Sequence, residues 1–335
     1  MRVLSAADVR QALPMSAAIE AMRQAFAALS AGRAEVPARI HLAVPSHDGI
    51  TLVMPAFVAA DPQAGDATAE ALAVKVVSLF AGNAARGLAR IQAAVLVFEP
   101  DTGRPAALLE GAALTALRTA AASGLATDLL ARADARTAAI FGAGVQARTQ
   151  LEAVCTVRRI ETAWVYDPQP GRAEALAAEL AGRGPIPADV RAAADPREAL
   201  ADADVVCTAT VARQSVFADA DLQAGAHVNA VGSYQPDVCE VPPETVARAR
   251  VFVDSRQAAL AEAGDLIQPI RAGRIGPEHI RAELGELVLG RATGRASADE
   301  ITLFKSVGLA VQDAVAARVA LARAAELGLG QSVPW

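Results

Sequence analysis

The chain reads as an α/β protein built around a parallel sheet, and three observations predict this. A short apolar run, Thr137 to Phe141, ends in Gly142-Ala143-Gly144 and leads into a helix-like segment, Val145 to Val157. Helix and strand patterns alternate from about residue 112 onward, as in parallel strands joined by crossover helices. From about residue 36 to 110, short apolar runs follow one another with no helix between them, which predicts an antiparallel sheet.

The glycine turn indicates the chemistry. Gly142 permits the tight turn off the strand. Gly144 has no Cβ, so a phosphate can approach the backbone. Ala147 takes the third position of the pattern, where a small residue lets the helix pack close to the strand. The free N–H groups at the helix start then face the phosphate. The next apolar run, Thr162 to Tyr166, closes on Asp167. Strand, turn, helix, strand and terminal acid, in that order, make a Rossmann dinucleotide-binding unit. A nicotinamide or flavin would then perform the hard step, with the protein supplying binding and orientation. Asp167 would accept hydrogen bonds from a ribose 2′-hydroxyl and repel a 2′-phosphate, so NAD(H) is favoured over NADP(H). Arg172, close in sequence, weakens that preference.

With 335 residues, 53% of them hydrophobic, and a mean hydropathy of +0.29, the chain has apolar material for two domains. No uncharged apolar run reaches bilayer-spanning length, so no membrane partner is expected. Met1 to Asp8 run into a helix-like pattern without signal-peptide architecture. A net charge of -6 with no basic stripe sets nucleic acid aside as a partner. Cys155, Cys207 and Cys239 are scattered, odd in number and lack Cys-x-x-Cys spacing. They predict buried structural thiols in a reducing, cytoplasmic compartment. His41, His47, His227 and His279 include no pair at ligand spacing, so no metal is predicted.

Residues 5 to 31 read as helical, with Pro14 starting a second helix after a short break. Ile50 to Met54, Leu72 to Phe80, Ala93 to Phe98 and Ala106 to Glu110 read as strands, punctuated by turns such as Pro100-Asp101-Thr102-Gly103. Leu114 to Leu130 and Gly171 to Leu180 read as helices. Val205 to Thr208, His227 to Val231 and Val251 to Asp254 read as buried parallel strands. Ile301 to Leu327 reads as a long C-terminal helical region, and one reading is that it packs back on the N-terminal sheet.

Four motifs occur in order: Leu114-Thr115-Ala116-Leu117-Arg118-Thr119-Ala120-Ala121-Ala122-Ser123, Gly142-Ala143-Gly144-Val145-Gln146-Ala147, His227-Val228-Asn229-Ala230-Val231-Gly232-Ser233-Tyr234, and Ile301-Thr302-Leu303-Phe304-Lys305-Ser306-Val307-Gly308. Together they resemble the ornithine cyclodeaminase/mu-crystallin family, over nearly the whole chain from Arg39 to Gly308. The resemblance implies a Rossmann dinucleotide-binding domain, residues 118–307, inserted into an α+β substrate-binding and dimerisation domain of residues 1–117 and 308–335. It also implies a homodimer formed through the sheet of the second domain. Its members exchange a hydride between nicotinamide and the α-carbon of an amino or imino acid.

By the same resemblance Arg39 binds the substrate carboxylate and Lys75 lies in the substrate pocket. Thr119, Val145, Gln146, Asp167, Thr208 and Val231 line the dinucleotide, with Gly142, Gly144 and Gly232 in its loops. Ser306 and Val307 lie near the nicotinamide and the substrate. The residue chemistry leaves alternatives open. A lysine in an apolar strand is costly to bury unless paired, but an edge-strand lysine can snorkel. Arg118 suits a cofactor phosphate or a substrate carboxylate, and the other reading is a solvated helix arginine. Thr208 and Ser306 read either as site residues or as local turn hydroxyls.

The chain departs from the family pattern at two positions. The cyclodeaminase aspartate after Asn-Ala-Val-Gly is Tyr234 here, and the glutamate two residues before the Met-Pro pair is Leu52. Both changes remove acceptors for a cationic amine. Arg39, Lys75 and Arg118 remain as a cationic pocket suited to a carboxylate-bearing imine or oxo acid. The expected function is NAD(P)H-dependent reduction of an imino acid or cyclic ketimine, or the reverse amino-acid dehydrogenase reaction. Lys75 would stabilise developing charge or donate a proton through water. Tyr234 would donate a hydrogen bond, with packing alone as the alternative. The competing readings are a cyclodeaminase-type ammonia lyase that recycles bound NAD and a non-catalytic ligand-binding protein. The loops from Pro55 to Gly65 and Tyr234 to Glu240 are expected to shape the pocket.

Overall fold

A computed structural model describes residues 1–62 and 69–335, and Gln63 to Gly65 of the first pocket loop lie outside the described residues. The chain divides into two compact units, Met1–Arg118 with Leu309–Trp335, and Thr119–Gly308. Both junctions fall one residue later than the sequence boundaries, so Arg118 belongs to the first unit and Gly308 to the second.

The first unit opens with β1 (Arg2–Leu4), a strand too short for the periodicity reading, followed by α1 (Ala6–Ala12) and α2 (Met15–Ser30). Ser5 and Asp8 form a capping box at the start of α1, and Pro14 separates the two helices. Then come β2 (Ala34–Glu35), β3 (Ile40–Val44), β4 (Gly49–Val58), β5 (Ala71–Phe80), β6 (Ile91–Phe98) and β7 (Pro105–Glu110). Strands β4 to β7 pair antiparallel in sequence order, and β1 joins β7 in parallel. Helix α3 (Gly111–Leu130) carries the chain into the second unit.

The second unit continues through β8 (Thr137–Phe141), α4 (Val145–Val157), β9 (Thr162–Tyr166), α5 (Arg172–Leu180), β10 (Asp189–Ala192), α6 (Pro196–Leu200), β11 (Val205–Thr208), β12 (His227–Ala230), α7 (Pro243–Arg248) and β13 (Arg250–Val253). It ends with α8 (Arg256–Glu262), α9 (Gly264–Arg271), β14 (Ile280–Glu283), α10 (Leu284–Val288) and β15 (Thr302–Lys305). Its strands are all parallel, in the order β10-β9-β8-β11-β12-β15-β13-β14. The first five positions are those of a doubly wound Rossmann sheet. Side chains alternate between two cores, as a sheet covered on both faces requires. Ala139, Phe141 and Val206 enter one, and Ala138, Ile140 and Val205 enter the other.

Strand β15 corrects the sequence reading of Ile301 to Leu327 as helical. Only α11 (Ala310–Glu326) is helix, whereas Thr302–Lys305 is a wholly buried strand between β12 and β13. A four-residue strand buried on both faces shows no alternation, and here it abuts an Ala-rich helix, so period alone cannot separate the two. Gly308, at φ +79, divides them. Helix α11 packs against α1, α2, β4, β5 and β6 and closes the first unit's core, and β16 (Gln331–Ser332) pairs with β1.

Cys155, Cys207 and Cys239 are free thiols. Burial pushes the pKa values of Cys155 and Cys207 up to about 12, which keeps both protonated and unreactive. Among the described residues no helix is long and apolar enough to cross a membrane.

Candidate functional site

The register of the parallel sheet aligns the motifs. Phe141, Thr208, Ala230, Lys305 and Val253 are consecutive Cα partners across β8, β11, β12, β15 and β13. Gly142, Ala209, Val231, Ser306 and Asp254 therefore leave the sheet along one edge. This is the carboxyl edge, where open α/β sheets bind ligands. Backbone bonds extend it, with Val231 N–H donating to Thr208 O at 3.0 Å and Ser306 N–H to Ala230 O at 3.2 Å.

The glycine turn fits a dinucleotide phosphate. Gly142 has φ +101, and a Cβ there would lie 2.7 Å from the Ala209 carbonyl oxygen. Gly144 begins α4 with no side-chain cap, and a Cβ on it would meet nothing within 4 Å. The start of α4 thus has open space beside Gly144 and no side-chain cap, which leaves room for a phosphate. Val145 is exposed beside them, and Gln146 Oε1 is buried without a partner. Thr119 is half-buried on α3. Asp167 Oδ2 accepts from Ala143 N–H at 2.9 Å and Oδ1 from Gln169 N–H at 3.0 Å, with Arg172 3.6 Å away. The carboxylate thus braces the glycine turn, a contact the sequence reading did not assign to it.

The hydroxyls of Thr208 and Ser306 have specific partners within the protein. Thr208 Oγ1 donates to Glu240 Oε2 at 3.0 Å, and Ser306 Oγ donates to Asp254 Oδ2 at 2.8 Å. The N–H groups of Val307 and Gly308 also donate to Asp254 Oδ2, each at 2.8 Å, which fixes the loop after β15. Tyr234 is half-buried against the apolar core of the second unit. The sequence reading missed Asp254 as an anchor, and likewise Glu240, Asp265 and Lys305. The three carboxylates are separated in sequence from the groups they hold, and Lys305 stood in a segment read as helix.

In the first unit the expected cationic pocket contains a carboxylate. Lys75 Nζ lies 2.6 Å from Asp313 Oδ2, and Arg118 Nε donates to Asp313 Oδ1 at 3.0 Å. Arg118 Nη1 donates to Gln312 Oε1 at 3.0 Å, while Gln312 Nε2 is buried without a partner. Asp313 sits in the first turn of an Ala-rich helix, where an acid reads as a complement to the helix dipole. Sequence spacing gives no sign that it faces Lys75.

Two alternatives from the sequence fall here. Strand β5 lies between β4 and β6 and Lys75 is 2% exposed, so it is not a snorkelling edge residue. Arg118 is 6% exposed and is not a solvated helix arginine. Burial, then the charge of Arg118, lowers the Lys75 pKa to about 8, with a smaller push from Arg39 and opposition from Asp313. Arg39 is half-buried just ahead of β3. Leu52 is buried on the same face of β4 as Met54, which opposes Lys75, so the position matched above to a cyclodeaminase glutamate carries an apolar side chain near the cluster. Among the described residues no group of three His, Cys, Asp or Glu side chains is placed to hold a metal ion.

A doubly wound parallel sheet with an uncapped glycine-started helix at its carboxyl edge defines a Rossmann-type dinucleotide-binding protein. The chain belongs to the ornithine cyclodeaminase/mu-crystallin family, whose model matches residues 1–327. It is 40% identical to the Delta(1)-pyrroline-2-carboxylate reductase of Bacillus cereus over 336 residues, covering 100% of both chains. It is 34% identical to the ketimine reductase mu-crystallin of Mus musculus, covering 94% of this chain and 95% of that one. Among solved structures it is similar to the Delta(1)-pyrroline-2-carboxylate reductase of Thermococcus litoralis in complex with NADH and L-proline. There the identity is 44% and the TM-score 0.92, covering 99% of this chain and 100% of the other.

Proposed function

We infer that the protein is an NAD(P)H-dependent reductase that acts on the C=N bond of a carboxylate-bearing cyclic ketimine or imino acid. The observation that carries this reading is the buried Lys75, drawn down to a pKa of about 8 and held by Asp313 beside Arg118. Such a lysine changes protonation near physiological pH, as an acid/base group should. The likeness to reductases named for Delta(1)-pyrroline-2-carboxylate supports a small cyclic ketimine carboxylate as the substrate.

Roles follow from chemistry and position. Arg39 and Arg118 are cations suited to the substrate carboxylate, and Gln312 Nε2 is a further unspent donor. Gly142, Gly144, Val145, Gln146, Thr119, Asp167, Thr208, Val231, Gly232 and Ser306 hold the dinucleotide, with Val307 toward the substrate. The bound cofactor, when reduced, supplies a hydride to the C=N carbon. The electron pair of the C=N bond then moves onto nitrogen. Lys75 stabilises that charge or delivers a proton to nitrogen through water, and Tyr234 donates a hydrogen bond. The position of Asp167 at the end of β9 favours NADH over NADPH, with Arg172 as the counterweight.

We also propose a homodimer built on the first unit's sheet. The face opposite α11 carries Val53, Pro55, Val74, Val76, Ala94 and Leu96, none of them fully buried, and Ile40 and Leu42 on β3 are each 60% exposed. A continuous apolar face of this kind is typical of an association surface.

The test is a screen of cyclic ketimine carboxylates and oxo acids, with and without ammonia or methylamine, against NADH and NADPH. Oxidation of the reduced nicotinamide with formation of the cyclic amino acid is the expected result. Release of ammonia from ornithine with no net change in reduced nicotinamide would instead identify a lyase. Tight cofactor binding without turnover would identify a binding protein.

A further inference from the structure

Every polar group of Ser233 is engaged. Its N–H donates to Glu240 Oε2 at 3.1 Å, its hydroxyl donates to Asp265 Oδ2, and its carbonyl accepts from Lys305 Nζ at 2.6 Å. Lys305 also donates to Ser233 Oγ at 2.8 Å and pairs with Asp265 Oδ2 at 2.8 Å. The other oxygen of Asp265 accepts from the N–H groups of Glu240, at 2.6 Å, and Val241, at 2.9 Å. Glu240 accepts from Gly232 N–H at 2.7 Å, from Thr208 Oγ1 at 3.0 Å, and from the N–H and hydroxyl of Thr210, both at 2.7 Å.

Two carboxylates and one ammonium, all buried, thus converge on one turn. They come from separate elements: Lys305 ends β15, Asp265 lies in the first turn of α9, and Glu240 precedes α7. Gly232 belongs to the same lock, because a Cβ there would strike the Glu240 carboxylate. Burial alone would raise the Asp265 pKa, but Lys305, Ser233 and the Val241 N–H outweigh it and hold the carboxyl below its ordinary range.

Such a cluster is a weak source of stability, since apolar residues of similar size often serve as well or better. What it provides is direction, with fixed points on three sides of a single residue. That residue directly precedes Tyr234, and Lys305 directly precedes Ser306. The cluster therefore cross-braces the two loops assigned above to cofactor and substrate.

We propose that Lys305, Asp265 and Glu240 are positioning residues that act through Ser233 to hold Tyr234 in the geometry reduction requires. This rests on the reductase reading and on Tyr234 as part of its site. Misplacing a reacting group by about 1 Å costs about 100-fold in rate, so loosening one tie should be visible in turnover.

Ser233→Ala removes one hydroxyl and leaves the Lys305–Asp265 pair. It is expected to lower kcat about 10-fold, with the NADH Kd, read by nicotinamide fluorescence, changed by less than about twofold. In a Tyr234→Phe background the same substitution should cause no further loss, because both act through one side chain. Equal losses in both backgrounds would overturn the proposal. Lys305→Arg should recover part of the rate that Lys305→Met loses, and equal rates for the two would also count against it. Amide hydrogen exchange over residues 231–240 needs no turnover. Faster exchange in Ser233→Ala supports the lock and unchanged exchange overturns it. If the unaltered protein reduces no ketimine, the functional reading fails, while the exchange measurement still decides on the lock.

Discussion

Lys75 and Asp313 meet across 2.6 Å with each side chain 1% exposed, and Arg118 binds the other oxygen of the same carboxylate. Asp313 is therefore the shared counter-ion of the two most buried cations of the first unit's cluster. Replacing it by asparagine leaves both buried without a full partner. Removing one member of a buried ion pair typically costs about 3–5 kcal/mol. Asp313→Asn should show a loss of that order in urea unfolding, together with reduced kcat/KM. Unaltered stability and rate would mean that the carboxylate is a bystander.

The pH dependence of turnover follows from Lys75. With a pKa of about 8, its ammonium is present below that pH and is lost above it. If reduction uses the ammonium, kcat/KM is level below about pH 8 and falls about 10-fold per unit above it. Lys75→Arg keeps the charge to much higher pH, so the alkaline fall should disappear even if the maximum rate is lower. Stability runs the other way. The folded pKa lies below the ordinary 10.5, so between about 8 and 10.5 the unfolded chain holds the proton that the folded one has released. The contribution of Lys75 to stability therefore rises with pH across that window.

The two glycines of the turn should separate fold from ligand. Gly142→Ala places a Cβ at positive φ and within 2.7 Å of a backbone carbonyl oxygen, so it should destabilise the second unit with or without dinucleotide. Gly144→Ala meets nothing in the protein. Its unfolding should match that of the original protein, while its NADH Kd rises because the added methyl stands where the phosphate approaches. Thermal melts with and without NADH would show both effects. Equal behaviour of the two variants would remove the phosphate role from Gly144.

His227 predicts sensitivity to acid. Its ring is fully buried in the second unit, with Nδ1 2.9 Å from Thr302 Oγ1 and Nε2 3.2 Å from Asn229 Oδ1. Burial, then the charge of Arg295, lowers its pKa from 6.5 to about 3. Between those values the unfolded chain binds a proton that the folded chain does not, so stability falls as pH drops through 6.5. At about 1.4 kcal/mol per pH unit, the loss from this group reaches about 2 kcal/mol by pH 5. Denaturant unfolding at pH 7 and pH 5 should show a smaller difference for His227→Gln by about that amount. An identical difference would assign the acid response to other groups.

What the sequence made legible was local. The Gly142-Ala143-Gly144 turn, the strand before it and the acid after Tyr166 lie within one βαβ stretch, and each needs only its neighbours to be recognised. Lys75 stood out because an ammonium in an apolar strand must be accounted for. Its partner did not, because Asp313 joins it only when the C-terminal helix closes over the sheet. The same holds for Ser233, whose ties come from Glu240, Asp265 and Lys305 on three separate stretches of the chain. Strand β15 was hidden for another reason. Four residues buried on both faces have no polar side to set a period, and the alanines that follow read as one continuous helix.

The late position of β15 bears on how the chain is made. The strand occupies the middle of the parallel sheet, between β12 and β13, yet it is the last strand of that sheet to leave the ribosome. Helix α11, which closes the other sheet, follows directly. Neither unit can complete its core until residues beyond 300 have been synthesised, and the second unit, which ends at Gly308, has all its residues before the first unit receives α11. Until then the parallel sheet lacks the strand that stands between β12 and β13. A stop codon ahead of Thr302 would deprive both units at once.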